Sequence, residues 1–281
     1  MVVKNGIVVQ SILYKKYLPV GKPHIAVEFL NQWGIDEIIL LDISATKEER
    51  GPDVAMIRTL AKKCFVPLTV GGGVTNLDQV KELMSCGADK ISINRKALVE
   101  PKFISMFAHE YGNQCVVVSI DVVGNKQSEY KVYDYLSGAH LDIDLVTWAQ
   151  EVEEYGAGEI FLTAVERDGS YRGFDVELID LISEKVDIPV IASGGAGNAE
   201  HFHHLFHMTS ASAGCAANFF HFTEHSVNIT KSHLVKKKLP VRLETHADYG
   251  ENEFDREFRL RKKNDQVLED MLFIRIEKEI I

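Results

Sequence analysis

The sequence predicts an α/β chain that folds as a (βα)8 TIM barrel made of two half-barrel repeats. Three observations predict it. The stretch VPLTVGGGV, a helical run and GADKISIN (66–94) is echoed by IPVIASGGAG, a helical run and ASAGCAAN (188–218). Pro67 recurs as Pro189, Gly72 and Gly73 as Gly194 and Gly195, and Glu37 as Glu159, all at one constant offset. Short β-rich apolar runs alternate with amphipathic runs, which implies right-handed crossovers and a parallel sheet. An open doubly wound sheet would also alternate, but the two-fold repeat favours two half-barrels.

Taken in order, residues 2–10 read as a hairpin around Asn5-Gly6. A loop rich in Lys and Tyr runs to Pro23, and a helix follows over 23–33, ending near Gly34. The run 37–42 is a buried strand ending in Asp42. Helix 53–63 leads to strand 67–70, helix 76–86 to strand 90–93, and helix 101–111 to strand 115–121, which ends in Asp121. A β excursion over 129–136 precedes helix 145–155. Strand 159–163, loop 166–175, helix 176–185, strand 188–192, helix 198–208, strand 211–216 and helix 223–236 complete the pattern. Seven strand–helix units are whole. The first strand is truncated to Met1–Val3, and the true start is expected upstream of Met1. Residues 1–244 are expected to form the barrel. Residues 245–281 are expected to form a charged C-terminal extension, read as a solvated appendage or as a peripheral helix with a terminal strand that patches the missing one.

Composition narrows the function. The 281 residues carry a formal net charge of −10, which argues against a nucleic-acid partner. Four cysteines lie far apart without a CxxC, as reduced thiols do. No apolar run is long enough for a membrane span, and no signal peptide is evident, so a cytoplasmic location is expected. His203 and His207 share i,i+4 spacing, but no HExxH glutamate accompanies them, and neither a metal nor a cofactor is expected.

The carboxyl ends of the strands should carry the chemistry. Gly72, Gly73, Gly194 and Gly195 sit at such ends, where glycine permits positive φ and lets backbone N–H groups approach a phosphate. Two matched sites half a chain apart suit a small ligand phosphorylated at both ends. Asp121 closes the apolar strand VVVSID, where burial raises a carboxyl towards working pH. It reads as an acid/base, or as an N-cap or loop-ordering carboxylate. Glu37, Lys90 and Glu159 open their strands at the opposite end of the barrel. They read as a charged ring with a function or as a structural ion pair.

Together LLDIS (40–44), VPLTVGGGV, GADKISIN, VVVSID, GAGEIFLTAVERDG (156–169), IPVIASGGAG and FHF (220–222) resemble the cyclase subunit of imidazole glycerol phosphate synthase. The resemblance runs from Val3 to about Glu244. It implies a barrel with a glutaminase subunit docked at its bottom as a heterodimer. Ammonia passes along the barrel axis to a ribonucleotide with a phosphate at each end, and no cofactor is needed. It places Asn94, Arg95, Asp168, Gly169, Ala217 and Asn218 with the four glycines at the phosphates, Asp121 at the chemistry, and Glu37, Lys90 and Glu159 at the ammonia gate. An arginine of that gate belongs to the first strand. The family also uses an aspartate where Val2 stands, and valine transfers no proton. Arg95 replaces a usual small hydroxyl residue and Asn218 a usual serine. These departures resemble an offshoot in surface-polysaccharide pathways, which channels ammonia for amidination of an N-acetyl sugar by a separate sugar amidotransferase. The alternative is a true cyclase subunit making imidazole glycerol phosphate in histidine biosynthesis.

Overall fold

The computed structural model describes residues 1–124, 126–223, 225–243, 252–256, 260–264 and 266. The chain opens with β1 (Val2–Lys4), β2 (Ile7–Ile12) and β3 (Lys16–Gly21), then α1 (Pro23–Gln32) and β4 (Ile38–Asp42). Next come α2 (Val54–Ala61), β5 (Leu68–Gly71), α3 (Leu77–Ser85), β6 (Lys90–Ile93), α4 (Arg95–Val99), α5 (Lys102–Tyr111) and β7 (Val116–Val123). The excursion is β8 (Lys131–Asp134) and β9 (Ala139–His140). The second half continues with α6 (Leu145–Glu154), β10 (Glu159–Ala164), α7 (Val176–Ser183), β11 (Val190–Ser193), α8 (Ala199–Met208), β12 (Ala213–Cys215), α9 (Asn218–Phe222) and α10 (Ser226–Lys236).

The parallel strands curl in the order β12-β11-β10-β7-β6-β5-β4-β1, as a (βα)8 barrel requires. Their alternation divides the apolar side chains into two sets. Ile39, Val117, Phe161 and Ile191 point to the barrel axis, with Leu41, Ala213 and Cys215 beside them. Leu40, Val118, Ile160, Leu162 and Val190 point outwards and pack under the helices with Leu60, Phe107 and Ile182.

The repeat reaches deeper than the strands. Asp53, Asn76, Asp175 and Asn198 cap α2, α3, α7 and α8, each side chain accepting from the N–H three residues on. Each such cap is worth about 1 kcal/mol. Asp53 and Asp175, like Asn76 and Asn198, stand at the same offset as the glycines.

Two expectations need correction. The Lys- and Tyr-rich stretch before Pro23 is not a loop: it extends β2 and forms β3, turning at Leu13 and Tyr14, whose φ values are +54° and +56°. Alternating apolar residues are sparse there, because this ribbon stands clear of the core and little of it is buried. The last helix begins at Ser226, after the separate short α9.

β1 is as short as expected. It meets β4 only through Val2↔Leu41 and Val3↔Asp42, and among the described residues no ladder joins it to β12. A cavity of about 570 Å³ lies between these edges, lined by Met1, Ile39, Glu159, Cys215, Val227 and Thr230 among others. The expected terminal strand and most of the 245–281 extension lie outside the described residues. Of the described part, Phe254 packs edge-on against His233 of α10, 5.2 Å between ring centres.

Candidate functional site

The amino ends of the strands bring Glu37, Lys90 and Glu159 together. Lys90 Nζ donates to Glu159 Oε1 at 2.6 Å and to Glu37 Oε2 at 3.0 Å. Burial opposes the charge on Lys90, but the two carboxylates outweigh it and raise the ammonium above its ordinary range. Glu159 Oε2 is buried and accepts no hydrogen bond. Lys90 therefore joins the two glutamates, and one oxygen of Glu159 is left as an unpaired buried acceptor.

Above the ring, alternation points Ser92 and Asn94 of the β6 end, and Ser119 and Asp121 of β7, to the axis. Ser92 Oγ and Ser119 Oγ lie 2.6 Å apart. The buried hydroxyl Thr69 Oγ1 has no hydrogen-bond partner, and the Thr163 hydroxyl lies beside that of Tyr14. These hydroxyls lie between the ring and the mouth, beside the apolar Ile39, Val117, Phe161 and Ile191.

At the mouth, Asp121 is 6% exposed. Its Oδ2 accepts from Asn94 Nδ2 at 2.8 Å and its Oδ1 from the Tyr14 hydroxyl at 2.8 Å. Burial lifts the carboxyl from 3.8 to about 6; the two hydrogen bonds pull it down, while Asp168 and Asp134 push it up. It caps no helix, and its bond to Tyr14 on the β2–β3 turn suits a loop-ordering carboxylate as well as an acid/base. Val2 points to the axis beside its partner Leu41, and β1 brings no carboxylate there.

The glycine turns are equivalent in both halves. Gly72 and Gly73 have φ of +111° and +74°, Gly194 and Gly195 of +98° and +97°. A Cβ on Gly72 would sit 2.3 Å from the Asp42 carbonyl, and one on Gly194 2.6 Å from the Ala164 carbonyl. Gly73 presses on Arg50 in the same way, at 2.6 Å, and Gly195 on Gly173, at 2.1 Å. Both turns therefore lie close against the preceding βα loop, leaving the mouth side as bare backbone.

The remaining candidates gather at the mouth, with other partners than expected. The Arg95 guanidinium binds Asp134 of β8. Asp168 turns its Oδ2 to Ser11 Oγ, 2.6 Å, and to the Tyr14 N–H, 3.3 Å. A carboxylate repels a phosphate, and this one holds the β2–β3 ribbon. Asn218 Nδ2 donates to the Ser11 carbonyl at 2.7 Å, and Gly169 lies against the same carbonyl. Ala217 leads into α9 beside them. Sequence reasoning missed Ser11 and Tyr14. The sole signal was the cluster of Tyr and Lys in a segment that looked like a loop.

A curled parallel sheet, with paired glycine turns and a buried carboxylate at its carboxyl end, defines a (βα)8 barrel whose candidate site lies at that end. The family described as Histidine biosynthesis protein matches residues 1–226, and the chain belongs to it. It is 46% identical over 255 residues to a Vibrio vulnificus (strain YJ016) protein under the provisional name imidazole glycerol phosphate synthase subunit hisF2, covering 91% of this chain and 93% of the relative. It is 43% identical over 244 residues to imidazole glycerol phosphate synthase subunit HisF of Clostridium botulinum (strain Okra / Type B1), covering 86% and 96%. The subunit HisF of Streptococcus mutans serotype c (strain ATCC 700610 / UA159) is 39% identical over 242 residues, covering 85% and 96%. All three carry the name of a synthase subunit, and the surface-polysaccharide reading gains no support from them. Among the described residues, no helix is long and apolar enough to cross a membrane.

Proposed function

We propose that the chain is the cyclase subunit of an imidazole glycerol phosphate synthase, working in histidine biosynthesis with a glutaminase subunit at the bottom of the barrel. The observation that carries this is that one barrel holds the Lys90 ion pairs at its amino end and the buried Asp121 carboxyl at its carboxyl end, with the Thr69, Ser92 and Ser119 hydroxyls among the apolar side chains between them. Ammonia is small and hydrogen-bonds as donor and acceptor, so these hydroxyls give it stations beside the apolar Ile39, Val117, Phe161 and Ile191. The ligand's two phosphates bind at the Gly72-Gly73 and Gly194-Gly195 turns, with Asn94 and Asn218 beside them. Asp121 moves the protons of cyclisation between the two sites. The names of the relatives support the same assignment.

Val2 is the residue that favours a second reading, an ammonia conduit for amidination of an N-acetyl sugar on a separate amidotransferase. One assay separates the two. The purified chain is given high ammonia and the phosphoribulosyl-formimino ribonucleotide, and imidazole glycerol phosphate is measured. Formation of the product supports the cyclase. No product from a folded chain that still stimulates a glutaminase would leave the conduit.

The ring gives a further expected result. Lys90→Met leaves the Glu37 and Glu159 carboxylates facing each other. It is expected to lower glutamine-driven product formation relative to ammonia-driven formation by roughly tenfold, the effect of about 1.4 kcal/mol at the docking face. Equal rates from both nitrogen sources, before and after the change, would remove the ring from the ammonia path.

A further inference from the structure

We infer that Tyr14 is a positioning residue for Asp121: its hydroxyl, delivered across the mouth by the β2–β3 ribbon, fixes one carboxylate oxygen and holds the group in its basic form. The inference rests on the cyclase reading for the reaction it serves, but the contact itself does not.

The contact is long-range and strongly determined. Tyr14 and Asp121 are 107 residues apart in sequence, and the hydroxyl donates at 2.8 Å. Leu13 and Tyr14 both adopt positive φ, which is unfavourable for residues with a Cβ. Three residues, Leu13–Lys15, join β2 to β3, and two successive positive φ values in a hairpin turn are ordinarily met by Asn-Gly. Here the turn is held by bonds from the far side of the barrel. Leu13 N donates to the Asp168 carbonyl at 3.1 Å, Tyr14 N to the Asp168 carboxylate, and Ser11 Oγ to the same oxygen. The Tyr17 hydroxyl donates to the Tyr14 carbonyl at 2.8 Å, and Lys4 Nζ stacks on the Tyr17 ring at 4.2 Å. A strained conformation persists only where its surroundings over-determine it, and such sites cluster where function needs them.

The electrostatics agree in sign. Burial, Asp121 and Asp168 raise the Tyr14 phenol well above its ordinary range, so it stays protonated and acts as a donor. A donor to a carboxylate favours the ionised form. Asp121 faces Tyr14 and Tyr17 from the ribbon, Asn94 from the end of β6, Asp168 from the loop after β10, and Asp134 and Tyr135 from the β8 arm, where Arg95 neutralises Asp134. Of these, Tyr14 and Asn94 are the two that bond to the carboxylate and stabilise its charge. Val2 leaves the opposite side of the mouth without an acid. The Tyr14 hydroxyl is thus the proton-bearing group in direct contact with the base.

Tyr14→Phe keeps the ring and removes the hydroxyl. The test is the titration of Asp121, followed by carboxyl ¹³C resonances of aspartate-labelled protein, with Asp121→Asn assigning the signal. The midpoint is expected to rise by about one pH unit, as for loss of one charge-assisted hydrogen bond. The acid limb of ammonia-driven kcat/KM should move with it, with KM little changed. An unmoved midpoint in a variant with wild-type thermal unfolding overturns the inference, whether or not product forms. A shifted midpoint without turnover in either protein keeps Tyr14's hold on Asp121 and places the failure in the cyclase reading.

Discussion

Asp121→Asn is expected to lower ammonia-driven product formation by roughly 10²–10⁴-fold, the usual loss on removing a general acid/base. The same substitution should stabilise the fold at neutral pH. The folded carboxyl holds its proton more tightly than the unfolded one, about 6 against 3.8. The group's contribution is therefore most favourable below pH 3.8, declines as pH rises to about 6, and is a constant penalty above that. At about 1.4 kcal/mol per pH unit the penalty is on the order of 3 kcal/mol. Asparagine recovers only part of it, because its amide nitrogen would meet the Asn94 amide. A gain of about 1–2 kcal/mol is expected at pH 8, shrinking towards zero at pH 4. Urea midpoints at the two pH values check it. A loss of both activity and stability at pH 8 would mean that Asp121 serves the fold rather than the reaction.

Gly195→Ala should have the largest effect on stability. The residue lies at φ +97°, and a Cβ there would be 2.1 Å from the Gly173 carbonyl oxygen and 2.8 Å from its carbon. Both are backbone atoms, and Gly173 N donates to the Gly195 carbonyl at 2.8 Å, so neither chain can withdraw without breaking the pair. Left-handed strain of about 1–2 kcal/mol adds to the displacement of the loop. A total of ~3 kcal/mol or more is expected, at the upper end for point mutants. Gly21→Ala is the control: no positive φ and no atom within 4 Å of its Cβ, so its urea midpoint should stay within ~0.5 kcal/mol of the parent. Similar losses in both would show that the Gly195 turn is no tighter than an open one.

What could be read from the sequence was what repeats or alternates. The glycine turns, the two glutamates of the ring and the strands that carry Lys90 and Asp121 follow from periodicity and a constant offset. Their physical cause is local: a strand must end, turn and feed a helix, and each step restricts the residue types. The partners of Asp168 and Arg95 were not legible. Asp168 stands in a motif that places it at the mouth, but the motif does not say which atoms its carboxylate meets. Those are Ser11 and Tyr14, 157 and 154 residues away. Arg95 was placed at a phosphate because of its neighbours, and Asp134, on an antiparallel arm without helical or barrel periodicity, claims its charge. Tyr14 lay in a ribbon with little buried surface, where neither hydrophobic pattern nor turn chemistry announces a strand.

The ribbon that carries Tyr14 also ties together access and readiness. Its Ser11 carbonyl occupies the Asn218 amide, so a ligand that binds there meets a closed ribbon. Because Ser11 and Tyr14 sit at one end of that ribbon, a substitution that loosens it is expected to free the Asn218 amide and the Asp121 carboxylate together.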